Sequence, residues 1–200
     1  MTNALTRALV LGSTSVYRRA LLERLRIPFT VVAPDVDETT LAGETPEHTA
    51  VRLALAKARA VAHSRGDSVV IGSDQVADLH GEALGKPGNF ERARSQLQRM
   101  SGQTVVFHTA VAVVCTNQQF VAQALVPVRV KFRTLSDAEI SYYLLAETPY
   151  DCAGSAKSEG LGIALLERID NSDPSALVGL PLIETARILR AAGIPILGSV

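Results

Sequence analysis

The apolar run Val69-Val70-Ile71 breaks at Gly72 and leads straight into Ser73-Asp74-Gln75-Val76, and no other stretch constrains the chain as much. β-Branched residues in so short a block read as a buried strand. The end of the block delivers a hydroxyl, a carboxylate and an amide in succession. Further on, a lysine stands between glycine and proline at Gly85-Lys86-Pro87. An apolar strand ending in an acid, with a fixed cation nearby, builds a phosphate and metal site at a strand edge. The same residues also read as a strand, a turn and an exposed hairpin.

Composition narrows the classes. The 200 residues suggest one domain over 1–200, and 47% hydrophobic residues are ample for a core. The chain has 20 basic and 20 acidic residues and no Trp. A nucleic-acid surface needs a basic excess or stacking aromatics, so no nucleic-acid partner is expected. No apolar run approaches a membrane span, and Met1–Arg7 is polar rather than signal-like, so no membrane partner and a cytoplasmic location are expected. Cys115 and Cys152 form neither a CxxC pair nor a zinc pattern, and Cys115 lies in an apolar run as a small hydrophobe.

Taken in order, Ala8–Leu11 reads as a strand, followed by Gly12-Ser13-Thr14-Ser15 and a helix carrying Leu21, Leu22 and Leu25. Strand, small polar loop and helix together offer backbone N–H groups to an anion. Arg18 and Arg19 oppose the macrodipole there, a cost that an anionic ligand would offset. A plain N-cap at Ser13 or Ser15 is the simpler account of the same loop. A second strand, Phe29–Ala33, ends at Pro34, before the acidic run Asp35-Val36-Asp37-Glu38. That run is a solvated turn, a site of oxygen ligands for magnesium or manganese, or a phosphatase nucleophile. Thr45-Pro46-Glu47 opens a helix to about Ser64, in which Lys57 shares the apolar face of Leu53, Ala54 and Val61. Lys57 therefore either snorkels or points its amine into a site. Arg52 and Arg59 read as ordinary solvated charges.

Beyond the central strand, a hairpin turns at His80-Gly81. Asn89 caps a helix to about Met100, and Thr104–Thr116 and Phe120–Phe132 read as two long strands. Ser136-x-x-Glu139 is a capping box opening a helix through Ala146. A dense polar stretch, Tyr150–Gly160, precedes an expected strand at Leu161–Leu166. The last helix begins near Pro181 and ends at Gly193. The polar clusters thus fall at strand ends and loops, and offer Arg18, Lys57, Lys86 and Lys157 as cations with Glu38 and Asp74 as acids. Cations and carboxylates in one cleft suit a polyphosphate bound with a divalent metal.

These motifs, in this order, resemble the Maf family of nucleoside triphosphate pyrophosphatases. The resemblance rests on Gly12–Leu22, Asp35–Glu38, Lys57-Ala58, Gly72–Val76, Gly85–Pro87 and Ala153–Gly160. Within the family, Ser-Asp-Gln and Gly-Ser-x-Lys-x-Glu are similar to the branch acting on 7-methyl-GTP. Tyr17 stands where that branch commonly has Trp. The resemblance implies an α/β fold of the inosine-triphosphatase type, with a mixed sheet, two lobes around a central cleft, and a homodimer. It implies hydrolysis of a nucleotide to monophosphate and pyrophosphate, with a divalent metal cation (Mg, Mn or Co). By the same carry-over, Asp74 is the general base, and Glu38 and Asp74 are the metal-binding acids. Ser13, Arg18, Lys57 and Lys86 hold phosphate, and Tyr17, Gln75 and Glu159 choose the base.

Base choice also has a physical argument. A 7-methylguanine base is cationic, and stacking on a tyrosine contributes roughly 0.5–2 kcal/mol. A glutamate accepts from both N–H groups of the guanine edge, at about 1.5–3 kcal/mol each. Thousandfold discrimination needs roughly 4 kcal/mol, so the carboxylate carries more of it than the ring. For Glu159 the competing account is a salt bridge to Lys157, and for Tyr17 a surface aromatic. Two other functions remain open: a haloacid-dehalogenase-type phosphatase with Asp35 as nucleophile, and a nucleotide-binding regulator of septum formation without turnover.

Overall fold

The computed structural model describes residues 7–197; the polar segment before Arg7 lies outside them. A seven-stranded mixed sheet organises the fold in the order β2-β1-β3-β5-β6-β7, with β4 on β3. The strands are β1 (Leu9–Gly12), β2 (Phe29–Val32), β3 (Val69–Leu79), β4 (Glu82–Leu84), β5 (Thr104–Cys115), β6 (Phe120–Phe132) and β7 (Leu166–Asp170). Five helices flank them: α1 (Val16–Glu23), α2 (Pro46–His63), α3 (Phe90–Met100), α4 (Asp137–Glu147) and α5 (Leu182–Ala191). The expected mixed α/β architecture is therefore present.

The first half of β3 pairs in parallel with β1, up to the Gly12–Gly72 register. Its far end, from Ala77 to Leu79, pairs with β4. Between them, residues 73–76 have no strand partner on that side, while β5 continues along the other edge. The site opens at this gap. The break expected at Gly72 does not occur: β3 runs unbroken through it, because β5 holds the chain extended from Val70 to Asp78. What changes at Gly72 is the neighbour, not the conformation.

Side chains alternate along β3, and the cores follow. Val70 faces α2, where Ala50, Ala54, Ala58 and Val61 pack on it. Val69 and Ile71 face α1 and α5, with Leu21, Leu22, Ile188 and Leu189. Ala77 and Leu79 belong to a third cluster, built on α3 and α4 with Phe107, Leu97 and Tyr143. Two clusters thus sandwich one end of the sheet and the third fills the other end. The gap lies between these two lobes.

One expected strand moves. Leu161–Leu165 form a 3-10 turn, and β7 begins only at Leu166. Gly162 lets the turn approach the Lys157 backbone, where a Cβ would meet Lys157 O at 2.5 Å. The remaining elements fall close to the sequence reading, including the capping box at Ser136 and Glu139.

Gly72 allows α2 to sit against the sheet. A Cβ there would strike Ala54 O, and would lie 2.5 Å from Ala58 N. Backbone atoms on a helix whose Ala50, Ala54, Ala58 and Val61 are packed in the core cannot yield easily. Gly72→Ala is expected to destabilise the fold by about 1–3 kcal/mol, read as a lower midpoint in urea unfolding.

Candidate active site

A cavity of about 720 Å³ occupies the gap beside β3, a volume suited to a nucleotide. Nine residues singled out from the sequence line it: Ser13, Tyr17, Arg18, Glu38, Lys57, Asp74, Gln75, Lys86 and Glu159; Lys157 does not. Six segments separated in sequence thus converge on one space.

One end of the cavity is charged. Asp74 points to the α2 side of the sheet, where its carboxylate meets Lys57 Nζ at 2.7 Å. The same ammonium reaches Glu38 Oε1 at 2.8 Å. Lys57 is 4% exposed and Asp74 6%, so Lys57 does not snorkel to solvent. Burial raises the Asp74 pKa above the ordinary carboxylate value, against the pull of Lys57 and Arg18. Burial also opposes ionisation of Glu38, but Lys57, Lys86 and Arg18 outweigh it and hold the Glu38 pKa low. Two carboxylates on one ammonium are thus pushed apart in basicity.

Ser15 caps α1 by accepting from Arg18 N at 3.3 Å, and Ser13 Oγ accepts from Ser15 N at 3.1 Å. The N-cap account of this loop is therefore correct, and the loop still lines the cavity. Arg18 Nε donates to Gly179 O at 2.8 Å, which turns the guanidinium inward toward Asp74 and Glu38. Arg52, expected to be solvated, is instead a clamp. Its Nε and Nη2 hold Glu44 at 2.6 and 2.7 Å, and Nη2 donates to Thr39 O at 3.1 Å. The helix that carries Lys57 thereby fixes the loop that carries Glu38. Asp35 does not line the cavity, and Asp37 Oδ1 accepts from Thr39 N at 2.9 Å.

The other end is less polar, with Tyr17, Cys152, Ala153, Ala156 and Leu177 in its wall. The Tyr17 hydroxyl donates to Asp151 Oδ2 at 3.4 Å, so Tyr17 is tethered rather than free on the surface. Burial, with Asp151 beside it, raises the Cys152 thiol to about 12, which leaves it protonated. Gln75 Nε2 donates to Thr109 Oγ1, Ala176 O and Leu177 O at 2.9–3.0 Å. Its amide nitrogen is thereby engaged with the protein.

Lys157, one of the four cations offered by the sequence, does not line the cavity, and its ammonium is paired elsewhere than with Glu159. Its Nζ pairs with Glu147 Oε1 at 2.9 Å and lies 5.7 Å from the centroid of the Tyr17 ring. Among the described residues, Glu159 accepts only from the adjacent Ser158 hydroxyl, at 3.4 Å, and makes no ion pair. The expected alternative, a Lys157–Glu159 bridge, is absent because Glu147 outcompetes it.

Several contributors escaped the sequence reading. Ser73 is fully buried, and its one hydroxyl proton is shared between Ala110 O at 2.8 Å and Gly179 O at 2.9 Å. Thr109 donates to Ala176 O. With Arg18 and Gln75, these side chains anchor the segment 176–179 entirely through its carbonyls. A hydroxyl within a buried apolar strand, as at Thr109, is the signal that was available, since it must find a partner. Asp173 supports the same segment from below, accepting from Ser175 and from Ile183 N.

Among the described residues, no group of three or more His, Cys, Asp or Glu side chains could hold a metal ion. Glu38 and Asp74 are two hard-oxygen donors converging on one positive charge. That donor set fits a divalent ion that takes its other ligands from phosphate oxygens and water.

Known proteins with similar sequences agree on one group. The family model described as Maf-like protein matches residues 8–192. A relative from Albidiferax ferrireducens, named 7-methyl-GTP pyrophosphatase, is 65% identical over 199 residues, spanning 100% of both chains. Another of that name, from a Polaromonas species, is 68% identical over 189 residues, 94% of this chain and 86% of its own. Among solved structures, a HAM1 protein from Coxiella burnetii aligns with 63% of this chain and 73% of its own, at 17% identity and a TM-score of 0.45.

Removing Lys57 should expose the electrostatic tension. In Lys57→Met, Asp74 is left buried without its cation, so its folded pKa rises further above the unfolded value. A folded state that holds the proton more tightly loses stability as pH rises from the unfolded pKa through the folded one. The variant is expected to lose about 3 kcal/mol or more at pH 8 and clearly less near pH 4, measured by urea unfolding at both values.

Proposed function

This chain belongs to the Maf family, and from that premise we infer that it hydrolyses 7-methyl-GTP to 7-methyl-GMP and pyrophosphate. The observation that carries the choice of substrate is the division of the cavity. Arg18, Lys57 and Lys86 gather at one end, and Glu159, a carboxylate with no ion pair among the described residues, stands in the wall elsewhere. Cations suit a triphosphate. A free carboxylate suits the two N–H donors of a guanine edge, and its charge favours a base that is itself cationic.

Asp74 is the general base. Its raised pKa brings it nearer to the working range of a proton acceptor, and it sits in the cavity with its second oxygen free of Lys57. Asp74 takes a proton from water as the water oxygen attacks the α-phosphorus. The bond from that phosphorus to the bridging oxygen breaks, and pyrophosphate leaves with the electron pair. Arg18, Lys57 and Lys86 offset the charge that develops on the phosphate oxygens, and Ser13 donates a hydrogen bond to them. A divalent ion bound by Glu38 and Asp74 would add charge neutralisation and lower the pKa of bound water. Tyr17 offers its ring to the base.

The reading extends to setting and assembly. Two unpaired cysteines and a nucleotide substrate support a cytoplasmic location. No helix among the described residues is long and apolar enough to cross a membrane. Exposed Tyr142 and Leu145 on α4 support a homodimer through that face. The dehalogenase-type alternative loses its nucleophile, because Asp35 is outside the cavity wall.

Turnover of 7-methyl-GTP, GTP, dTTP and UTP with magnesium or manganese should release pyrophosphate, fastest from 7-methyl-GTP. Orthophosphate without pyrophosphate would overturn the reaction type, and tight binding without turnover would favour a regulator. Asp74→Asn is expected to lose about a hundredfold or more in kcat while still binding nucleotide. For Glu159→Gln, the ratio of kcat/KM for 7-methyl-GTP over UTP should fall about tenfold.

A further inference from the structure

Glu159 stands unpaired although a lysine lies two residues before it. Lys157 belongs to the same loop and is close enough for the two charges to feel one another. In an isolated loop they would pair. Here Glu147, at the C-terminal end of α4, takes Lys157 Nζ at 2.9 Å. Three further contacts fix that choice. Glu147 Oε2 accepts from Leu161 N at 2.8 Å, Tyr143 Oη accepts from Lys157 N at 3.0 Å, and Gly160 packs so closely that a Cβ would meet the Glu147 carboxylate at 2.7 Å. The Glu147 carboxylate is therefore held by two partners on one loop, and α4 sets where that loop's lysine goes.

We propose that Glu147 is a positioning residue for base recognition: it holds Lys157 away from Glu159, so that the Glu159 carboxylate stays free to accept from the base. The proposal deepens the 7-methyl-GTP reading and rests on it. It has a second effect of the same sign. Lys157 lies by the Tyr17 ring, where its charge would repel a cationic base stacked on that ring. Glu147 offsets that charge at 2.9 Å. Without Glu147, the ammonium both masks Glu159 and opposes the methylated base. A neutral-base substrate would feel the second effect little.

The test is a pair of substitutions read as a selectivity ratio. Glu147→Gln keeps an oxygen for Leu161 N but gives up the charge that holds Lys157. Its ratio of kcat/KM for 7-methyl-GTP over UTP is expected to fall about tenfold, mainly through KM for 7-methyl-GTP. Adding Lys157→Met should restore the ratio to within about threefold of wild type, because the competing ammonium is gone. Lys157→Met alone should keep the ratio. A merely structural role for Glu147 predicts the opposite pattern: loss for both nucleotides alike, and no recovery in the double variant. An unchanged ratio in Glu147→Gln, or a double variant as unselective as the single, overturns the proposal. Should Glu147→Gln fold poorly, Lys157→Met alone decides, since a tenfold loss of ratio there is incompatible with Lys157 as a competitor. If wild-type protein shows no preference for 7-methyl-GTP, the substrate reading itself falls. Preference in wild type with no response to Glu147 sinks this inference alone.

Discussion

A single ammonium between two carboxylates fixes the centre of this molecule. Lys57 reaches Asp74 on β3 and Glu38 on the loop after β2, and it does so from the buried face of α2. Burying a lysine is costly unless it is paired, and here the pair ties a helix to the sheet it packs on. The geometry needs α2 close, which Gly72 permits, and it needs the acidic loop held still, which Arg52 and Glu44 do. Sheet, helix and loop therefore meet at one nitrogen. The charges that would destabilise an ordinary core are the ones a polyphosphate and its counter-ion would reorganise.

The fold was largely legible because its elements carry strong local signals. Thr45-Pro46-Glu47, Ser136 with Glu139, and Asn89 each fixed a helix start through capping chemistry, and the structure uses each of them. Of the two long strands, the second also showed alternation, in Val126, Val128, Val130 and Phe132. Gly72 misled because glycine in a strand usually marks a break, whereas here it marks a helix pressing on the strand. Leu161–Leu165 misled because a short apolar run has no period long enough to separate a strand from a 3-10 turn.

The site was legible to a different depth. Residue types in and after the central strand pointed to Asp74 and Lys86, and a lysine on the apolar face of a helix pointed to Lys57. Partnerships were not legible. Nothing in the spacing of Lys157, Glu159 and Glu147 says which acid takes the lysine; that depends on where α4 ends in space. The same holds for Arg52, which reads as a surface charge until the loop carrying Glu44 folds back on it. Local sequence separates charged from apolar positions, but pairing is a property of the tertiary fold.

The segment 176–179 is held by side chains of Arg18, Ser73, Gln75 and Thr109, and each of them grips a backbone carbonyl. A carbonyl is the same whatever residue bears it. The anchors therefore do not depend on which side chains Leu177 and Val178 carry, although both line the cavity and pack against the cores. The wall can be redecorated while its frame stays put. For an enzyme that must sort one nucleotide from many, this separates the freedom to vary substrate from the need to stay folded.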